Sequence, residues 1–181
     1  MLSCDPAGKA GPRNDYSAIT VIGLQQQAIH LLEVSRGRWL LMQMRDQIMA
    51  LAARWGVDTH VIEDTASGMS LIPMLKEQTR LNVVGRNSNV DKITRMSRQQ
   101  GRFEAGRILL PNEAPWLADF ENELLAFPYG RYDDQVDALL LFLDWLAENE
   151  RYLQPVIACP VVIVRQTDPF PWEPTPRWTD W

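Results

Sequence analysis

The chain has few of the residues that build soft-metal sites. It holds 2 cysteines and 2 histidines in 181 residues. Cys4 and Cys159 form no CxxC pair and no histidine cluster accompanies them, so a zinc site is not expected. Cys4 falls in a strand-like segment and reads as a buried thiol. His30 and His60 lie in or beside apolar strand-like segments and read as structural. No apolar run approaches the roughly 18 residues of a membrane span. The leading MLSCDPAGKAG has no apolar core of a signal peptide, so a cytoplasmic location is the default expectation. Positive charge is also short: 18 Lys and Arg against 23 Asp and Glu leave a formal charge of −5. That argues mildly against a nucleic-acid partner, because phosphate binding draws on Lys and Arg. The objection weakens where acids are neutralised by bound cations, and the distribution of charge matters more than its sum.

What is present suits one globular domain. The 46% hydrophobic and 23% charged fractions are those of an ordinary soluble core and surface, and the length allows one sizeable core rather than two. Residues 2–5 read as a short strand ending in an acid. Residues 6–16, rich in Pro, Gly and Asn, read as a loop. Residues 17–24 and 28–37 are β-branched and apolar strands joined at Gln25–Gln27, which predicts a hairpin. A helix fits 39–55, with Leu40, Leu41, Met44, Ile48, Leu51 and Ala52 at helical spacing and Gly56 as its cap. A strand at 59–64, a helix from Ser67 or Gly68 to about Gln78, and a strand at 81–87 follow. Residues 90–106 form a helical pattern on Ile93, Met96 and Phe103, ending near Gly106. Residues 107–111 are a short extended piece, and 113–126 and 133–149 are amphipathic helices. Beyond about residue 150 the chain becomes rich in proline and tryptophan, so the expected organisation is a domain over 1–150 and a tail over 151–181. The order predicts an α/β fold of the RNase H-like kind: an antiparallel three-strand start, then parallel strands, with helices on both faces.

Acids stand where this architecture would bring them together. Asp5 ends the first strand, Glu63 and Asp64 end the fourth, and Asp133, Asp134 and Asp137 open the last helix. Such sheet ends are where sites form in open α/β sheets. Clustered carboxylates repel unless cations bind, and magnesium prefers carboxylate oxygens. Each acid also has an ordinary reading: Asp5 before Pro6 as a turn start, Glu63-Asp64 as a strand end with a helix cap, Asp133 as an N-cap, and Asp134 as a favourable charge on the helix dipole. Asp137, between Val136 and Ala138 on an inward-looking turn, is harder to explain by capping. Glu63 and Asp64 alternate across a strand, so one of them faces a given side; Glu63 is slightly favoured, and alternation alone does not decide it.

The stretches DPAGKAGPRNDYSA, VIEDTASG, DKITRMSRQQGRFEAGRILLP and YDDQVDALLLFLDWL resemble the nuclease domain of phage terminase large subunits, over roughly residues 2–148. The resemblance implies a metal-dependent DNA endonuclease that cuts concatemeric viral DNA during packaging by two-metal phosphodiester hydrolysis. It implies a catalytic set of Asp5, Glu63 or Asp64, Asp134 and Asp137, with Asp133 as the cap. Asp5, Glu63, Asp134 and Asp137 would hold Mg2+ or Mn2+, two ions in all. The partners it implies are double-stranded DNA, a packaging-motor ATPase domain, the portal and the small terminase subunit, in the cytoplasm of a bacterial host. The chain departs from the full family pattern at its front. AGKAG lacks the spacing and hydroxyl residue of GxxxxGK[ST], so ATP hydrolysis is not assigned to it, and an excised domain or a truncated prophage reading frame is expected.

Basic residues are a softer signal. Lys92, Arg95, Arg98, Arg102 and Arg107 crowd into 16 positions, either as a solvated helix face or as contacts to a DNA backbone. Lys9 and Arg13, in the loop after Asp5, are placed to approach phosphate, and Gly8 and Gly11 would let that loop lie close to a ligand. Asp15 and Ser17 read as fixing the start of the second strand. Two other functions fit the same residues: an RNase H-like nuclease of the resolvase or transposase type, and a non-catalytic docking module.

Overall fold

The computed structural model describes residues 1–7, 16–65, 67–87 and 90–153. Lys9, Arg13, Asp15, Cys159 and the proline- and tryptophan-rich tail from residue 154 lie outside the described residues.

Three strands, β1 (Leu2–Asp5), β2 (Ser17–Gln25) and β3 (Ala28–Gly37), form the predicted antiparallel meander. Helix α1 (Leu41–Trp55) leads to β4 (Thr59–Glu63), α2 (Gly68–Gln78) and β5 (Asn82–Arg86). Helix α3 (Lys92–Glu104), the two-residue β6 (Ile108–Leu109), α4 (Leu117–Ala126) and α5 (Asp134–Glu148) complete the order. The sheet runs β5-β4-β1-β2-β3-β6. β4 is parallel to β1, β5 to β4, and β6 to β3. Thus β1 and β4 end side by side, and the last acids of two strands remote in sequence become neighbours.

Alternation along the strands divides the core in two. Leu2, Cys4, Ile19, Val21, Ile62 and Val83 pack under α1 and α2 with Met44, Ile48, Leu71 and Leu75. Ile22, Leu31, Val34 and Val61 pack under α5 with Leu139, Leu140, Phe142 and Leu143, and Phe120 of α4 joins them. A register shift between Val21 and Ile22 lets Leu31 and Val34, three residues apart, share the α5 side. Cys4 is the expected buried thiol: its Sγ lies 4.0 Å from Met44 Sδ, and burial, with the charges of Asp5 and Glu63, raises its pKa. His60 is fully buried, with Nδ1 3.3 Å from the Asn82 carbonyl. Gly56 caps α1 as expected, with φ of 60°.

Some boundaries differ from the periodicity. Helix α1 starts two residues later than predicted, and Leu40, counted there among its apolar positions, stays 61% exposed. Its N–H donates to Gln43 Oε1 at 2.9 Å, which closes the first turn from outside. Helix α4 starts at Leu117 rather than at residue 113. Ile93, expected on the apolar face of α3, is 55% exposed. The inward face of that helix carries Arg95 and Gln99 instead, and an apolarity pattern does not register a buried polar face.

Helix α5 is buried almost all round, between the sheet and the flanking α3 and α4. Two polar devices set its height and start. Ser3 Oγ donates to the Ala138 carbonyl at 2.7 Å and lies 2.6 Å from Thr20 Oγ1. At the N-terminus, Glu123 of α4, buried to 6% exposure, does what a capping side chain does. Its Oε1 accepts from the Gln135 and Val136 N–H groups at 2.6 and 3.1 Å. Its Oε2 accepts from Gln135 Nε2 at 2.7 Å and Arg36 Nη1 at 2.8 Å. Asp133, the expected cap, occupies the cap position but makes no capping hydrogen bond; its carboxylate is paired with Lys92. The first N–H groups of a helix need an acceptor, and here a neighbouring helix supplies it.

Glu123→Ala should therefore cost about 3–5 kcal/mol in urea unfolding, because it orphans both helix N–H groups and takes from a half-buried Arg36 its nearer carboxylate, leaving Asp119 at 3.6 Å. Glu123→Gln, which keeps an acceptor, should lose less than half of that. Equal losses for the two variants would show that the carboxylate packs but does not cap.

Candidate functional site

The site forms where β1, β4 and α5 meet. Asp5 is two residues beyond Ser3 and shares its face, toward α5. The β1–β4 register, Cys4 against Ile62, brings Glu63 beside Asp5. Asp137 precedes the Ala138 to which Ser3 is tied, and Asp134 lies one turn earlier on the same helix. Acids from three elements are thus brought to one edge of the sheet, near enough for their charges to act on one another.

Their electrostatics record the crowding. The Asp5 carboxyl is held well above the usual carboxylate range, first by burial, then by the Glu63 charge and a hydrogen bond with Glu63, then by Asp137 and Asp134. Asp137 is pushed up to about 6 by burial, against the pull of Arg95 and Lys92, with Glu63 and Asp134 adding to the rise. Asp137 Oδ1 is buried without a hydrogen bond; Arg95 Nη1 stands 3.6 Å away. Among the described residues, no three of these side chains stand together as a ready-made coordination set.

Local structure holds Glu63. Thr65 Oγ1 donates to its Oε2 at 3.0 Å. Gly68 begins α2 so close to β4 that a Cβ there would sit 1.8 Å from the Glu63 carbonyl oxygen. Glycine alone permits that approach, and the approach fixes the backbone from which Glu63 projects.

Asp64, a candidate in the sequence, is set apart. It is exposed, and its Oδ2 lies 3.6 Å from the point where a Cβ on Gly85 would stand, beside Ile72. That is the α2 side of the sheet, and its charge is not among those acting on Asp5 or Asp137. Strand alternation decides this once Val61 is known to pack under α5.

The basic residues of α3 also need correcting. Arg95, expected on a phosphate-facing surface, is 4% exposed. Its Nε donates to Asp144 at 2.9 Å and its Nη2 to the Asp137 carbonyl at 3.4 Å. Gln99 donates to the other Asp144 oxygen at 2.9 Å. Arg102 is half-buried and donates to Gln99 and to the Leu143 carbonyl. Lys92 is paired with Asp133. These side chains dock α3 on α5, and Arg95 backs Asp137 from behind. Arg98 is exposed.

Periodicity missed a second group. Arg38 stacks over the Tyr16 ring at 3.7 Å, and Arg36 lies 4.8 Å from the same ring. Tyr16 meets Tyr132 edge-on at 5.1 Å, and Arg131 covers Tyr132 at 5.1 Å. The signal available in the sequence was the Tyr-Gly-Arg-Tyr run just before the last acids. Two cavities border this group: one of about 700 Å3 is lined by Tyr16, Arg36, Trp116 and Gln135, and one of about 220 Å3 by Arg36, Glu123, Arg131 and Tyr132; another, of about 830 Å3, is lined by Met49, Val57, Thr79 and Leu81 at the opposite ends of β4 and β5.

An RNase H-like sheet with carboxylates gathered at two strand ends and one helix start defines the class of domain. The chain belongs to the family described as the terminase RNase H-like domain, whose model matches residues 2–145. No curated protein sequence matches it. Among solved structures, the human cytomegalovirus terminase nuclease domain, manganese-soaked and inhibitor-bound, is similar with a TM-score of 0.59 at 12% identity, covering 84% of this chain and 85% of that one. The large terminase nuclease of thermophilic phage G20c with bound magnesium gives 0.62 at 23% identity, covering 78% of each chain. The large terminase of a second thermophilic bacteriophage gives 0.62 at 11% identity, covering 81% of this chain and 38% of that one. At such identities the structural likeness speaks for the fold.

The raised Asp137 pKa sets a pH dependence for the metal-free protein. Below about pH 4 both folded and unfolded chains hold this proton. Between the ordinary value of 3.8 and about 6 the unfolded chain releases it first, so stability falls as pH rises, by up to about 3 kcal/mol. Asp5 acts in the same direction. In EDTA, Asp137→Asn should thus gain stability relative to the parent between pH 4 and 7, measured by urea unfolding. A difference that does not change with pH would contradict this account.

Proposed function

We propose that the chain is a divalent-metal-dependent endodeoxyribonuclease, the terminase nuclease that cuts concatemeric viral DNA during packaging in the host cytoplasm. The observation that carries this reading is Asp5: a carboxyl at the end of β1 held well above the usual carboxylate range by burial first and then by the charges of Glu63, Asp137 and Asp134. Such a cluster is costly in a purely structural role. The donor set suits hard cations, being all carboxylate oxygen, and a buried Asp137 oxygen without a hydrogen bond supplies an acceptor waiting for one. Asp5, Glu63, Asp134 and Asp137 would hold the ions. Two Mg2+ or Mn2+ ions bound there would supply the Lewis acidity that activates a water and neutralises charge on the leaving oxygen. The chain's own residues orient that site. Thr65 fixes Glu63, Arg95 braces Asp137 against α3, and the Ser3 tie holds α5 at the height that brings Asp134 and Asp137 over Asp5. Residues 1–150 form the working unit, because both cores and the acid cluster are built within them. The motor ATPase, portal and small subunit are the partners this reading brings.

Nicking of supercoiled plasmid tests it. Cleavage should require Mg2+ or Mn2+ and fall to background for Asp5→Asn and Glu63→Gln. Asp64→Asn, altered on the other side of the sheet, should keep most of the activity. Undiminished cleavage in excess EDTA would refute the metal requirement, and an inert Asp64→Asn with an active Glu63→Gln would reverse the assignment.

A further inference from the structure

The arginine–tyrosine stack stands beside the acids and takes no part in the cluster. In the sheet, Asp5 pairs with Ala18 and Ala18 with Arg36. Arg36 therefore lies in the same row, two strand spacings or roughly 10 Å from Asp5. Tyr16 leads into Ser17, whose Oγ accepts the Ala7 N–H at 3.0 Å, two residues past Asp5. Tyr132 stands two residues before Asp134. The stack is thus joined to the acid site through both β2 and α5.

Its members divide into a pin and an outer layer. Arg36 is neutralised by Glu123 at 2.8 Å and Asp119 at 3.6 Å, so it serves to hold the two rings. Arg38 and Arg131 stack on the ring faces. Stacking uses the face of a guanidinium and orders its planar fork of N–H donors, the geometry that suits phosphate oxygens. Arg131 is exposed and pairs with no carboxylate among the described residues. Tyr129, two residues earlier in the same loop, is 93% exposed, a large ring held in water.

We propose that Arg131 and Tyr129, supported by Arg38, Tyr16 and Tyr132, form the contact for the DNA strand flanking the cut bond. Arg131 takes a phosphate near the one over the acids, and Tyr129 lies against a sugar or base. The surface presents the exposed Arg131 cation in a chain whose net charge is −5, and it is joined through β2 and α5 to the elements that carry the carboxylates. It places the strand on the β3 and α4–α5 loop side, away from α3, where Arg95 is buried. The inference rests on the nuclease reading.

Fluorescence anisotropy on two unrelated duplexes, with Ca2+ in place of Mg2+ or Mn2+, tests it on the full chain. Tyr129→Ala with Arg131→Ala removes two exposed side chains, and Arg131→Ala alone removes the exposed cation. The pair should weaken binding by at least roughly five-fold on both duplexes, and the log–log salt slope should flatten by about one unit in either variant. Ca2+ affinity by calorimetry and the melting temperature of Tyr129→Ala/Arg131→Ala should match the parent. If that variant binds both duplexes as the parent does, with the parent's salt slope, the proposal fails and the exposed tyrosine belongs to a protein partner. Loss on one duplex alone would also overturn it, since backbone contacts carry no base information. A parent that neither binds nor nicks DNA with Mn2+ would instead bring down the nuclease reading beneath it.

Discussion

The Glu123 carboxylate is the contact on which the site depends. It is one buried anion serving three elements: it closes the N-terminus of α5, anchors α4 against that helix, and holds Arg36 at the end of β3. An anion at a helix start is favoured by the dipole and by the unsatisfied N–H groups together. Because this anion comes from α4, the acids of α5 itself are released from capping. Asp133 turns to Lys92, and Asp134 and Asp137 are left to the sheet. The same carboxylate holds Arg36 beneath Tyr16 and Tyr132, so the acid cluster and the aromatic stack share one structural origin.

Around that anchor the charges are arranged by burial rather than by number. Four carboxylates act on one another at the ends of β1 and β4 under α5, and Arg95, which stands 3.6 Å from Asp137, is itself paired with Asp144 on its far side. Arg95 therefore steadies Asp137 without cancelling the cluster's negative charge, and Asp137 still titrates near 6. The anchoring of Arg95 by Asp144 and Gln99 also makes the α3–α5 interface a polar one, where removing one partner leaves another buried and unmet.

The tie between Ser3 and Ala138 gives the geometry its precision. A hydroxyl in the middle of an apolar interface specifies one height and one register for α5 over β1. Asp5 lies two residues from one end of this bond and Asp137 next to the other, so the spacing of the acids follows from a contact that is not itself acidic. Gly68, pressed against the Glu63 carbonyl, does the same for the third element.

Much of this could be read before folding. Strand and helix periods, the Gly56 cap, the meander followed by parallel strands, and the candidacy of Asp5, Glu63, Asp64, Asp133, Asp134 and Asp137 as acids at element ends all follow from local pattern, because hydrophobic spacing and element-end chemistry are properties of neighbouring residues. What remained open needed relations between distant ones. Glu63 and Asp64 differ by one position, and only the packing of Val61 under α5 tells which of them faces Asp5. A helix cap supplied by Glu123 from another helix leaves no trace near Asp133. Arg95 sits in a run of basic residues that resembles a solvated face, and only Asp144, 49 positions away, turns it inward. Tyr16, Arg38 and Tyr132 become a single surface only when β2, β3 and the α4–α5 loop meet. Local sequence determined the elements and the kinds of group on offer. Tertiary contact decided which groups share a space, because burial and charge act through distance in the fold, not along the chain.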